Sequence, residues 1–128
     1  MRIEHVAIWV SELELMRRFY ETYFGATSEE KYHNPKKNFS SYFLSFETGC
    51  RLELMQKSEI TSIESRTNEY LGISYFAISV GSKENVNALT EKLSTDGFII
   101  AGNPITTGDG YYESVVLDPE KNRIEITI

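Results

Sequence analysis

The stretch Arg51-Leu52-Glu53-Leu54 returns 72 residues later as Arg123-Ile124-Glu125-Ile126. Upstream, Glu4-His5-Val6-Ala7-Ile8-Trp9-Val10 returns at an offset of 70 as Ser74-Tyr75-Phe76-Ala77-Ile78-Ser79-Val80. A chain written twice from one pattern is expected to build two similar units, and that constrains the fold more than any local signal. Each copy opens with His or Tyr and closes with Glu. His5, Glu53, Tyr75 and Glu125 therefore occupy matching places.

Between these anchors the periodicity sets the element order. Residues 2–10 alternate as a half-buried strand. Ser11 and Glu14 have the spacing of a capping box, and Leu15, Phe19 and Tyr23, with Met16 and Tyr20, give the following helix an apolar face that ends at Gly25. Strands are expected at Thr27–Tyr32, Ser40–Phe46 and Arg51–Gln56, with a loop at His33–Lys37 and a turn at Thr48-Gly49. The second unit repeats the order. It has a strand at Ile73–Val80, then a helix capped by Ser82 that carries Val86, Leu89 and Leu93 and stops at Gly97. Strands follow at Phe98–Ala101, Tyr111–Leu117 and Arg123–Ile128. Gly102-Asn103-Pro104 and Gly108-Asp109-Gly110 read as loop punctuation. The pattern is α+β: tandem βαβββ units within one domain of residues 1–128. Unit one spans about 1–57, a polar linker about 58–71, and unit two about 72–128.

Strand parity locates the chemistry, because successive side chains point to opposite faces. One parity is apolar: Val6, Ile8 and Val10; Leu52 and Leu54; Phe76, Ile78 and Val80; Ile124, Ile126 and Ile128. It is expected to pack under the two helices. The other holds His5, Ala7 and Trp9; Arg51, Glu53 and Met55; Tyr75, Ala77 and Ser79; Arg123, Glu125 and Thr127. Trp, Met, Tyr, His and two Glu on one face suit the lining of a cup with a few convergent polar groups. Arg-x-Glu on a strand is often only a surface ion pair. Its repetition at equivalent places, with His5 on the same parity, favours a metal site.

Composition removes several alternatives. A net charge of −6 over 128 residues argues against a nucleic-acid binder, which needs a basic surface. No apolar run reaches the roughly 18 residues of a membrane span, and no signal peptide is expected before the first strand. The single cysteine, Cys50, excludes an internal disulfide and suits a cytoplasmic location. It falls in the turn Glu47–Cys50 and reads as a small turn residue.

Paired βαβββ units with His in the first strand and apolar-Glu-apolar in the fourth resemble the vicinal oxygen chelate superfamily, and in particular its small glyoxalase I-like members. The resemblance extends through Gly-Asp-Gly-Tyr-Tyr-Glu-Ser at 108–114, Leu-Asp-Pro at 117–119 and Asn-Arg-Ile-Glu at 122–125. It implies a cupped mixed β-sheet with helices on its outer face, a homodimer, and one divalent ion (Zn, Ni or Co). Three ligand positions match: His5, Glu53 and Glu125, with Glu125 also the catalytic base. The fifth-strand position holds Tyr75 where glyoxalases usually have His. A neutral phenol, with a reference pKa of about 10, is a poor ligand for these ions.

Three readings of Tyr75 stay open. It leaves a three-ligand site, it coordinates as phenolate, or the metal has been lost and Tyr75 and Trp9 stack on an apolar ligand. His33 reads as a loop residue. The substrate pocket is expected to include Trp9, Met55, Tyr75, Tyr111 and Tyr112. The resemblance implies a metal-dependent lyase or isomerase acting on a small carbonyl or thiol adduct. A metal-free binding module of the bleomycin-resistance type is the alternative, and a thiol transferase the third reading.

Overall fold

A computed structural model describes residues 1–60 and 72–128. It divides into two compact units, Met1–Ile63 and Glu64–Ile128. The expected linker falls almost wholly on residues 61–71, outside the described residues.

In the first unit, β1 (His5–Trp9) leads into α1 (Leu13–Phe24). Two short strands follow, β2 (Thr27–Ser28) and β3 (Tyr32–Asn34), where one had been expected over 27–32. Both pair antiparallel with β4 (Phe39–Ser45), so His33 and Asn34 are in a strand and not a loop. A 3-10 turn (Pro35–Lys37) precedes β4, and β5 (Arg51–Lys57) closes the unit. The sheet order is β1-β5-β4-β2, with β1 parallel to β5.

The second unit runs β6 (Phe76–Ser79), α2 (Lys83–Thr95), β7 (Ile100–Thr106), β8 (Tyr112–Leu117) and β9 (Arg123–Thr127). Its order, β6-β9-β8-β7, matches that of the first, again with its first and last strands parallel. The repeat extends to register, since Ala7 lies opposite Glu53 and Ala77 opposite Glu125. Each unit is thus a mixed, cupped, open sheet carrying one helix.

Burial follows the expected parity. Leu52, Leu54, Ile124 and Ile126 are buried, and α1 covers its sheet with Leu13, Met16, Phe19 and Tyr20. Leu15 departs from the expected stripe and is 44% exposed, because the buried ridge runs through 13, 16 and 20. Ile128, placed with the core by parity, lies one residue past β9 and is exposed.

The capping box is not formed. The cap of α1 is Glu12, without a side-chain cap bond, and Glu14 instead accepts from Arg17, Lys31 and Tyr42. Ser82 does cap α2, accepting from the Asn85 N–H at 3.2 Å. On α2 the buried set is Val86, Thr90 and Leu93, and the Thr90 hydroxyl bonds both Val86 O and Ser114 Oγ.

Gly102-Asn103-Pro104 belongs to β7 and is not a loop. Pairing with β8 shifts register on both sides of Gly102, and β7 is an edge strand, so the missing Pro104 donor breaks no central ladder.

Candidate functional site

In the first unit the face opposite α1 carries His5, Ala7 and Trp9 on β1, with Glu53 and Met55 on β5. Opposite Glu53 and Met55 stand Phe43 and Ser41 of β4, and Phe39 lies opposite Lys57. The His5 ring meets Phe43 edge-on with centroids 5.3 Å apart, and Trp9 meets Phe39 edge-on at 6.1 Å. These two phenylalanines were not among the residues picked out from the sequence.

His5 lies between two carboxylates. Its Nδ1 lies 2.5 Å from Glu4 Oε2, and its Nε2 faces Glu53 Oε2 at 3.9 Å. Arg51 fixes Glu4 in turn, donating through Nε at 2.9 Å and Nη2 at 2.6 Å to Glu4 Oε1. Hydrogen bonds from His5 and then from Arg51 hold the Glu4 carboxyl below its ordinary range. A carboxylate can only accept, so the neutral His5 tautomer that serves Glu4 carries its proton on Nδ1. The Nε2 lone pair then faces Glu53. An imidazole nitrogen and a carboxylate, apart by more than hydrogen-bond distance, are N and O donors of the kind a divalent cation takes.

In the second unit Glu125 lies on β9, on the face away from α2. Glu113 of β8 pairs with Thr127 and so shares that face with Glu125. Burial first, then the charge and hydrogen bond of Glu113, then the charge of Asp109, push the Glu125 carboxyl above its ordinary range. Sequence reasoning missed Glu113, although the parity that selected Glu125 would have exposed it. Tyr75 stands one residue before β6 and is 51% exposed.

Tyr111 is exposed beside Gly110, whose φ of 95° makes the tight turn expected of Gly108-Asp109-Gly110. Tyr112 turns to the helix side, where its hydroxyl donates to Asn87 Oδ1 at 2.8 Å and Lys83 stands over its ring. His33 Nδ1 lies 2.9 Å from Ser40 Oγ, and Cys50 is a half-buried free thiol. Within either unit, among the described residues, no three His, Cys, Asp or Glu side chains gather as a metal-binding group.

A carboxyl with a raised folded pKa holds its proton more tightly folded than unfolded. Its stabilising contribution is complete below the unfolded pKa and is lost as pH rises through the folded value. Glu125→Gln, which cannot ionise, is therefore expected to gain stability relative to the parent as pH rises from about 4 to about 7. Thermal melts in the presence of chelator check this, and parallel pH profiles for the two proteins would contradict it.

Comparison with known proteins decides the family. The family model of the Glyoxalase/Bleomycin resistance protein/Dioxygenase superfamily matches residues 2–126. The chain belongs to this superfamily. Uncharacterized protein YqjT of Bacillus subtilis (strain 168) is 25% identical over 127 residues, covering 97% of this chain and 96% of that one. Among solved structures, a glyoxalase family protein from Enterococcus faecalis matches with a TM-score of 0.79 at 24% identity, over 99% of this chain and 97% of that chain. Glyoxalase I from Zea mays matches with a TM-score of 0.78 at 22% identity, over 98% of this chain. This chain spans 44% of the length of the maize enzyme. These structural likenesses establish the glyoxalase fold. Among the described residues, no helix is long and apolar enough to cross a membrane.

Proposed function

We propose that the chain is a glyoxalase I-like, metal-dependent lyase or isomerase acting on a small carbonyl or thiol adduct. The observation that carries this reading is the His5 arrangement, with Nδ1 tied to an Arg51-anchored Glu4 and Nε2 facing Glu53. His5 and Glu53 from one unit and Glu125 from the other would hold a single divalent ion, with both units drawn from one chain or from a pair of chains. The family resemblance favours a homodimer. When bound, such an ion supplies Lewis acidity that stabilises negative charge on adjacent substrate oxygens.

The chain's own residues do the rest. Glu125, its carboxyl raised above the ordinary range, is suited to take a proton from one substrate carbon and return it to the neighbouring carbon. Glu113 lies beside it and favours the protonated form. Glu53 is chiefly a ligand. Trp9 and Met55 contribute the apolar lining, with Tyr75 and Tyr111 as exposed aromatic candidates from the second unit. Tyr112, turned towards α2, has no part in it.

Glu4 orients His5 and fixes its tautomer. Supporting partners of this kind change metal affinity by about 10- to 100-fold. Glu4→Ala is expected to lose affinity in that range, and Glu4→Gln, whose amide oxygen still accepts from Nδ1, to recover part of it. Competition with a chromogenic chelator measures both, and unchanged affinity in Glu4→Ala would count against the arrangement.

The function is tested by isomerisation of hemithioacetals formed from a 2-oxoaldehyde and small thiols, assayed with and without added Ni²⁺ or Zn²⁺. The second reading, a metal-free binding module, is favoured by one feature, the two edge-to-face ring pairs Trp9–Phe39 and His5–Phe43 on the first unit's face away from α1. Ligand binding without metal-dependent turnover would support it.

A further inference from the structure

Beyond Trp9 the same sheet face ends in a cavity of about 430 Å³. That volume is of the size small-molecule sites have. Trp9 and Phe39, packed edge to face, form its apolar wall. The polar lining is Lys36, Lys37 and Asn38 from the 3-10 turn and the strand entry, with Lys57 and Glu59 from the end of β5. In a chain of net charge −6, three lysines against one glutamate is a local reversal of sign.

Among the described residues, two of those charges have no ion-pair partner. Lys57 pairs with Glu59 at 2.7 Å. Among the described residues the other lysine ion pairs are Lys31–Glu14 and Lys92–Asp96, so neither Lys36 nor Lys37 has an acidic partner.

The turn that presents them is fixed. Pro35 opens it, Asn34 Oδ1 accepts from the Lys37 N–H at 3.2 Å, and Asn38 takes a left-handed φ of 47°. Asn38 Nδ2 donates to Ser58 Oγ at 2.5 Å, pinning the turn to the end of β5. The fixed turn thus carries two consecutive lysines at the rim of an aromatic wall, where an anion would find positive charge on one side and a flat apolar surface on the other.

We propose that this cavity binds an organic anion carrying a flat apolar group, of the aryl phosphate or aryl carboxylate class. The flat group lies against Trp9 and Phe39, and the anionic group meets Lys36 and Lys37. The cavity is four residues along β1 from His5, about 13 Å at strand rise. A ligand reaching both places is elongated, with its anionic end remote from His5. The inference rests on reading this sheet face as the ligand side, and it requires no metal.

Trp9 is the single tryptophan of the chain, so its fluorescence reports the cavity directly. Phenyl phosphate titrated into protein kept in chelator is expected to quench Trp9 saturably. Inorganic phosphate and phenyltrimethylammonium are each expected to bind at least tenfold more weakly. The Lys36→Ala/Lys37→Ala double variant should weaken phenyl phosphate binding at least tenfold, while Lys92→Ala, on α2, leaves it unchanged. Both turn lysines are exposed, so the double variant should keep the parent circular dichroism spectrum. No saturable quench, equal binding of the cationic probe, or an unaltered affinity in the double variant would overturn the proposal. Because chelator is present throughout, failure of the metal reading does not alter these outcomes, and failure here leaves the metal titrations untouched.

Discussion

His5→Ala and Glu125→Ala, one substitution in each unit, are each expected to lower divalent-metal affinity by more than about 100-fold. That exceeds the roughly 10- to 100-fold attached to losing a supporting partner, because each removes a donor atom itself. Circular dichroism should be unchanged in both. His5 is exposed at the start of β1, and Glu125 gives up a carboxyl that burial already disfavours in its charged form. The paired outcome matters more than either alone. Loss in His5→Ala with full affinity in Glu125→Ala would confine the metal to the first unit, where Glu4 and Glu53 flank the histidine. The reverse result would leave His5 as an ordinary strand histidine tied to its neighbour.

Leu54→Ala is expected to cost about 2–5 kcal/mol of stability, the range for removing a fully enclosed leucine. Leu54 has no exposed surface, sits in β5 between two partner strands and faces α1. Leu15→Ala, on α1 itself, is expected to stay within about 0.5 kcal/mol of the parent. Both are leucines in the same unit, and both were assigned to the core from sequence. Chemical denaturation of the pair separates a buried ridge through Leu13, Met16 and Tyr20 from one through Leu15, Phe19 and Tyr23. Equal losses would restore the latter.

The contrast between these leucines shows what the sequence could and could not convey. Strand alternation was legible because a period of two leaves no ambiguity about which face a residue takes, and burial at Leu52, Leu54, Ile124 and Ile126 follows it. The helix face was less legible, since apolar residues at 13, 15, 16, 19, 20 and 23 fit two overlapping stripes. Only the packing against β4 and β5 chooses between them. Gly102-Asn103-Pro104 reads as a loop by composition. Only the position of β7 at the sheet edge, with shifted register, makes it a strand.

The site was half legible. Repetition selected His5, Glu53 and Glu125, and the matched register of Ala7 with Glu53 and Ala77 with Glu125 shows that the repeat is structural. Glu4 was not selected. Neighbours along a strand point to opposite faces, so position 4 would be discounted as a partner of position 5. It escapes that rule because β1 begins only at His5. Phe39, Phe43 and the Lys36-Lys37 turn come beside Trp9 and His5 through pairing across β4 and β5, which no local pattern encodes.

The most direct test of the metal reading is calorimetric titration of the chelator-stripped parent and of Tyr75→His with Ni²⁺ and Zn²⁺. A set of His5, Glu53 and Glu125 predicts one equivalent of metal per chain in the parent. It also predicts tighter binding in Tyr75→His, where an imidazole adds a fourth donor suited to these ions. Each tenfold gain corresponds to about 1.4 kcal/mol. If neither protein binds either ion, the central claim fails and the chain is a binding module of the glyoxalase fold.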